Sequence, residues 1–250
     1  MPKFFYGIIF SVILLLILYT FTKPSDKILD STENLASTEN STEGSSPKKE
    51  YPLLVLDAGH GGYDPGKVGI NGALEKDINL SIVKKLKTLL ETEGFTVHLT
   101  RDKDTLLAPE NSTSKKKDDM IARIEIIKEL NPFFTISIHQ NSFTDSSTSG
   151  PQVFYYKDSE KSAAMAQILQ DALNTQLSPA KQRSPQSNTN YYLLTRTPTP
   201  TVIVECGFLS NPSEADLLTQ DEYQSRVAYS IFLGILSYYE TSTSDQTPSE

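Results

Sequence analysis

Three polar residues in this chain stand where an apolar run stops. His60 follows Leu53-Leu54-Val55-Leu56-Asp57-Ala58-Gly59, His139 follows Phe134-Thr135-Ile136-Ser137-Ile138, and Glu205 follows Val202-Ile203-Val204. Glu75 heads a helical pattern soon after the first of these runs. Two imidazoles and a carboxylate are the donor set of a catalytic zinc, which takes three protein ligands at about 2.0–2.2 Å and keeps a fourth position for water. A further carboxylate beside such a site suits a general base and acid. Taken alone, His60 and His139 fit packing as well as metal binding. Their flanks favour the metal: Gly59 and Gly61-Gly62 allow close backbone approach, and Gln140-Asn141-Ser142 offers polar neighbours to a ligand. The remaining histidine, His98, lies inside Val97-His98-Leu99 and reads as an ordinary strand residue. There is no HExxH helix.

Such residues need elements to bring them together. Leu53 to Asp57 reads as a strand, and Glu75 to Glu93 as a helix with Ile78, Ile82, Leu86 and Leu89/Leu90 on one face and a stop at Gly94. Phe95 to Leu99 reads as a strand. A helix capped by Asp118 or Asp119 follows and ends at Asn131-Pro132. Phe133 to Ile138, Gln152 to Tyr156 and Thr201 to Glu205 are strand-like, while Ser159 to Leu177 and Glu222 to Tyr239 are helical. This alternation predicts an α/β fold: a single domain with a mainly parallel, mixed twisted sheet flanked by helices on both faces. Sites in such sheets form at the carboxyl ends of strands, where His60, His139 and Glu205 fall; Glu75 joins them by connectivity.

The flanking segments are of another kind. Phe4 to Phe21 is nearly all apolar after Lys3, which predicts a signal anchor or signal peptide over residues 1–22 and hence a membrane-attached or secreted protein. Residues 23–50 are a Ser/Thr/Glu-rich tether that cannot bury enough apolar surface to fold. The folded domain is expected over 51–240, with a fraying tail over 241–250. A formal net charge of −8 over 250 residues argues against nucleic acid as a partner.

The segments DAGHGGYDPGKVGINGALEKDINL, HLTRD, SIHQNSF, QVFYY, NYYLL and VIVECGFLSNPSEADLL resemble, in order and spacing, the zinc-dependent N-acetylmuramoyl-L-alanine amidases that cleave bacterial peptidoglycan. The likeness spans Leu53 to Tyr239 and is greatest to the germination-specific spore-cortex amidases. It implies one zinc held by His60, Glu75 and His139, with Glu205 as the catalytic carboxylate. The bond cut is then the amide between the lactyl group of N-acetylmuramic acid and L-alanine, in cortex maturation by muramic lactam formation. The implied location is extracytoplasmic, in the spore envelope or intermembrane space, with a protein partner that activates the enzyme or stabilises its metal site. A vegetative wall amidase and a tethered peptidoglycan-binding or partner-binding domain without turnover are the alternatives.

Several residues carry two readings. Asp57 either orients His60 or caps its loop. Arg101 either meets a substrate carboxylate or an internal acid. Asn141 and Ser142 either bind glycan or peptide or shape their loop, and Asn190-Tyr191-Tyr192 and Leu209-Ser210-Asn211 either line the cleft or pack. Cys206, the single cysteine, suggests a cysteine hydrolase, against which strand alternation turns it away from Glu205. Ser142 to Ile203 is too short to hold a site-blocking insertion of the kind some relatives carry, so an open site is expected. Lys67 stands where relatives often have a small residue, and the sequence supplies no reason for it.

Overall fold

The computed structural model describes residues 51–244, and the expected leader and tether lie outside them. In chain order the elements are β1 (Leu53–Ala58), α1 (Glu75–Glu93), β2 (Thr96–Leu99), α2 (Lys115–Leu130), β3 (Phe134–Asn141) and β4 (Gln152–Tyr156). They continue with α3 (Glu160–Leu177), β5 (Gln186–Asn188), α4 (Tyr192–Arg196), β6 (Thr201–Phe208), α5 (Pro212–Leu218) and α6 (Asp221–Ser244). The strands form one six-stranded sheet in the order β2-β1-β3-β6-β4-β5. β2, β1, β3 and β6 are parallel, and β4 runs antiparallel to β6, which makes the sheet mixed as expected.

Period-two alternation divides the central strands between two layers. Leu54, Leu56 and Ala58, Phe134, Ile136 and Ile138, and Val202, Val204 and Cys206 enter the main core. There they meet Ile82 and Leu86 of α1, Leu169 of α3 and Ile231 of α6. On the opposite face Val55 packs with Ile124 and Ile127 of α2 and Leu193 of α4, while Ile203 packs with Phe154 and Leu194. Helices therefore cover both faces, and each central strand is buried on both sides.

Helix ends follow local chemistry. Gly94 closes α1 with φ 113°, its N–H donating to the carbonyls of Leu90 and Glu91. Ser159 caps α3 by accepting from the Ser162 N–H. α2 begins at Lys115, after Ser114, and not at Asp118 or Asp119. Asp119 is engaged elsewhere: its carboxylate accepts from the Leu107 N–H and from Arg123 Nε one turn along. α4 and α5 are too short to announce themselves by periodicity, although Asn211-Pro212 supplies the cap and first turn of α5. β3 and β6 run past their expected ends, because the ladder continues through the His139–Glu205 pair and, beyond a register shift, pairs Asn141 with Phe208. The tail from Thr241 to Ser244 is the last turn of α6 and is not frayed, with the Thr243 hydroxyl donating to the Tyr239 carbonyl; residues 245–250 lie outside the described residues.

Candidate metal centre and catalytic site

The alternation that sends Ile138 and Val204 into the core turns His139 and Glu205 to the other face, side by side at the carboxyl edge of the sheet. Glu75 arrives as the first residue of α1. His60 sits just beyond β1 with φ 62°, a left-handed conformation that a residue with a Cβ adopts at some cost and that is common at functional sites. Gly61 and Asp64 exchange two backbone hydrogen bonds and fold the loop back, so that Asp64 Oδ2 accepts from His60 Nδ1 at 2.9 Å. That bond fixes the tautomer and leaves His60 Nε2 facing inward.

His60 Nε2 lies 3.2 Å and His139 Nδ1 3.0 Å from the same oxygen, Glu75 Oε1. Donors at zinc distance on a tetrahedron stand roughly 3.3 Å apart, so two of the three separations already suit the ion. The other carboxylate oxygen is tied by the Lys67 N–H at 2.7 Å. This is what Lys67 contributes: the bond comes from its backbone, and its side chain points to solvent. Burial alone would raise Glu75, but its hydrogen bonds with His139 and His60 hold it well below the usual carboxylate range. Burial alone would lower His60, but Glu75 and Asp64 outweigh it and push the imidazole up to about 9. A dication would take the place of that proton, and the donor chemistry fits zinc. Two glycines make the cluster possible: a Cβ on Gly59 would lie 2.2 Å from the His139 ring, and one on Gly66 would lie 2.6 Å from Glu75 Oε2.

Two buried arginines clamp the loop that carries His60. Arg123 donates to Asp57, Asp119 and the carbonyls of Ala58 and His60. Arg101 donates to the carbonyls of Ala58, Gly59, Lys76 and Lys103. These bonds bear on the readings of Arg101 and Asp57. Arg101, buried, spends its guanidinium on four backbone carbonyls, a structural role. Asp57 does not touch His60; it accepts from Arg123, Thr100 and Ser137, and the carboxylate that orients His60 is Asp64. Burial would raise the Asp57 carboxyl, but Arg123, Ser137 and Thr100 hold it at about 2. A cavity of about 220 Å³ opens beside the histidines, walled by Asp64, Lys116, Asp119 and Met120. His60 and His139 keep side-chain exposures of 26% and 19%, so they are reachable from solvent.

Residues 54–237 match the N-acetylmuramoyl-L-alanine amidase family. The chain belongs to that family. It is 37% identical over 190 residues to the germination-specific N-acetylmuramoyl-L-alanine amidase of Bacillus subtilis, covering 75% of this chain and 79% of the relative. Among solved structures it is similar to the CwlD amidase from Clostridioides difficile in complex with the GerS lipoprotein, at 38% identity and a TM-score of 0.74, covering 76% of this chain and 99% of that one. It is also similar to the amidase AmiC2 of Nostoc punctiforme, at 31% identity and a TM-score of 0.67, over 75% of this chain and 97% of that one. The protein is thus a peptidoglycan amidase.

In this amidase Glu205 is 8% exposed, and its Oε2 has no hydrogen-bond partner among the described residues. Burial pushes its carboxyl up to about 7, with Glu75 adding to the rise and His139 and His60 opposing it. A buried carboxyl with a free oxygen beside the donor cluster suits proton transfer. Cys206 faces the other way, fully buried in the main core, and burial pushes its thiol far up, so it is no nucleophile. Asn141 and Ser142 lie half-buried at the same edge. Asn141 Oδ1 accepts from the Ser142 N–H at 2.7 Å, while Asn141 Nδ2 and the Ser142 hydroxyl make no hydrogen bond among the described residues. Tyr191 packs edge-on against Phe154, and the Asn211 side chain caps α5. Sequence reasoning missed Asp64, Asn79 and Arg123. Only Asp64 carries a local signal, four residues after His60 in a glycine-rich loop.

Proposed function

We propose that the protein is a zinc-dependent amidase that hydrolyses the amide between the lactyl group of N-acetylmuramic acid and L-alanine, in the spore cortex. The observation that carries this reading is the convergence of three donor atoms within 4.8 Å of one another, on His60, Glu75 and His139, with Glu205 as His139's register partner. A bound zinc supplies Lewis acidity at that point. Around it the chain does the rest. Asp64 and Lys67 hold His60 and Glu75 in their ligating orientation. Glu205 takes a proton from the attacking water and returns it to the departing amine, a role that suits a carboxyl whose burial has lifted it toward neutral pH. Asn141 Nδ2 and the Ser142 hydroxyl are free to meet the glycan or the peptide.

The cortex assignment is supported by the germination-specific relative of Bacillus subtilis. The lipoprotein complex of the Clostridioides difficile neighbour supports a partner protein for this chain as well. Attachment through residues 1–22 would place the domain outside the cytoplasm; among the described residues no helix is long and apolar enough to cross a membrane.

Metal content and product mass spectrometry, run in parallel on wild type and Glu205→Ala with muropeptides, test the reading. Wild type should hold one zinc and release stem peptides. Glu205→Ala should keep the zinc and lose turnover by roughly 10²- to 10⁴-fold. Unimpaired turnover in the variant, or turnover by a wild type stripped of metal, would overturn it.

A further inference from the structure

We infer that Asn79 is a positioning residue that sets the mutual spacing of all three metal ligands, an inference that rests on the zinc reading above. The ligands come from separate parts of the fold: the loop after β1, the start of α1 and the end of β3. Nothing local in the chain fixes their distances. Asn79 is fully buried, one helical turn after Glu75, and therefore lies directly behind that carboxylate on the same face of α1.

Its amide reaches every ligand-bearing segment. Nδ2 donates to the Gly59 carbonyl at 3.1 Å and approaches Glu75 Oε1 at 3.4 Å. Oδ1 accepts from Gln140 Nε2 at 3.1 Å. Gly59 precedes His60, and Gln140 follows His139. Gln140 completes the circuit, its backbone N–H donating to Glu75 Oε1 at 3.1 Å. Asp64 acts on His60 alone and the Lys67 N–H on Glu75 alone, while Arg101 bonds the carbonyls of Gly59 and Lys76 and so reaches the first two segments but not that of His139.

The chemistry singles out asparagine at this point. Two donors and one acceptor must leave one short side chain, which a carboxamide supplies. An aspartate keeps the bond from Gln140 but sets acceptors against the Gly59 carbonyl and Glu75. An alanine takes away the Asn79 acceptor of the buried Gln140 amide and leaves the Gly59 carbonyl only its bond from Arg101.

The test uses the full chain and four proteins: wild type, Asn79→Ala, Asn79→Asp and Gln224→Ala. Gln224 is a buried glutamine of α6 whose amide bonds Ser81 and the Leu218 carbonyl, away from the ligands, and it controls for general loss of stability. Zinc affinity is read by chelator competition, metal geometry by the visible absorption of the cobalt-substituted protein, and folding by thermal melting. Both Asn79 variants should bind zinc about 10- to 100-fold more weakly with a shifted cobalt spectrum. Gln224→Ala should melt earlier yet match wild type in both metal readouts. Should Asn79→Ala not fold, Asn79→Asp decides by the same readouts. Wild-type affinity and spectrum in the folded Asn79 variants, or an equal loss of affinity in Gln224→Ala, would overturn the inference alone. A wild type that takes up no zinc overturns the metal reading and this inference with it.

Discussion

At the scale of single residues, the site depends on atoms that are absent as much as on those present. Gly59 has room for no Cβ, because one would enter the His139 ring, whereas a Cβ on Gly72 meets nothing within 4 Å. Gly59→Ala should therefore displace a ligand and abolish measurable turnover on muropeptides. Gly72→Ala, strained only by its φ of 84°, should cost about 1 kcal/mol in a melting experiment and leave turnover intact. Equal effects of the two changes would show that local backbone strain, and not the approach to His139, governs the loop. His60, Glu75, His139 and Glu205 stood out as candidates because they lie at the edges of apolar runs, and the family resemblance supplied the roles proposed for them. Asp64, Asn79 and Arg123 did not. They are of ordinary type in ordinary surroundings, and their importance lies in what a distant backbone brings to them.

At the scale of elements, β1 and α2 are joined by the buried Asp57–Arg123 pair, which Asp119 completes. The folded Asp57 carboxyl is held at about 2, below its ordinary value of 3.8. As pH falls, the unfolded chain therefore takes up the proton first. The contribution of the Asp57 carboxylate, through Arg123, Ser137 and Thr100 together, is nearly complete above about pH 4 and is lost as pH approaches 2, and it amounts to on the order of 2 kcal/mol. Denaturant unfolding between pH 5 and 2 should reveal that acid limb in wild type and a flatter one in Asp57→Asn. The substituted protein should also be less stable at pH 7 by roughly 3 kcal/mol, since Arg123 loses a buried partner. Identical pH slopes would remove Asp57 from the acid response. Long helices and core strands were legible at this scale through their periodicity. The start of α2 was not, because Asp118 and Asp119 looked like caps while one of them was engaged with Arg123 and the Leu107 N–H.

At the scale of the whole molecule, a single layered core supports the site. The sheet, the helices on both its faces and the family match at 54–237 all fall within the described residues. A protein comprising residues 51–244 alone should therefore fold cooperatively and cleave soluble muropeptides with the metal requirement of the full chain. Circular dichroism melting and product mass spectrometry check this, and an unfolded or inert product would assign the preceding segment a part in the domain itself. The acidic balance of the chain, −8, agrees with a substrate recognised by shape and hydrogen bonding and not by attraction to a polyanion.

The sequence by itself determined the α/β class, the positions of the long elements and the four polar residues proposed to do the chemistry. The elements are encoded locally by hydrophobic period, and the four residues by their place at the ends of runs within motifs that resemble the family's. Tertiary structure alone decided which carboxylate orients His60, that Arg101 serves the backbone, that Lys67 acts through its N–H, and that Asn79 ties three segments together. Those are matters of distance between parts of the chain far apart in sequence. Pattern reports which face a residue takes; only the packed sheet and its clamped loop set what stands opposite it.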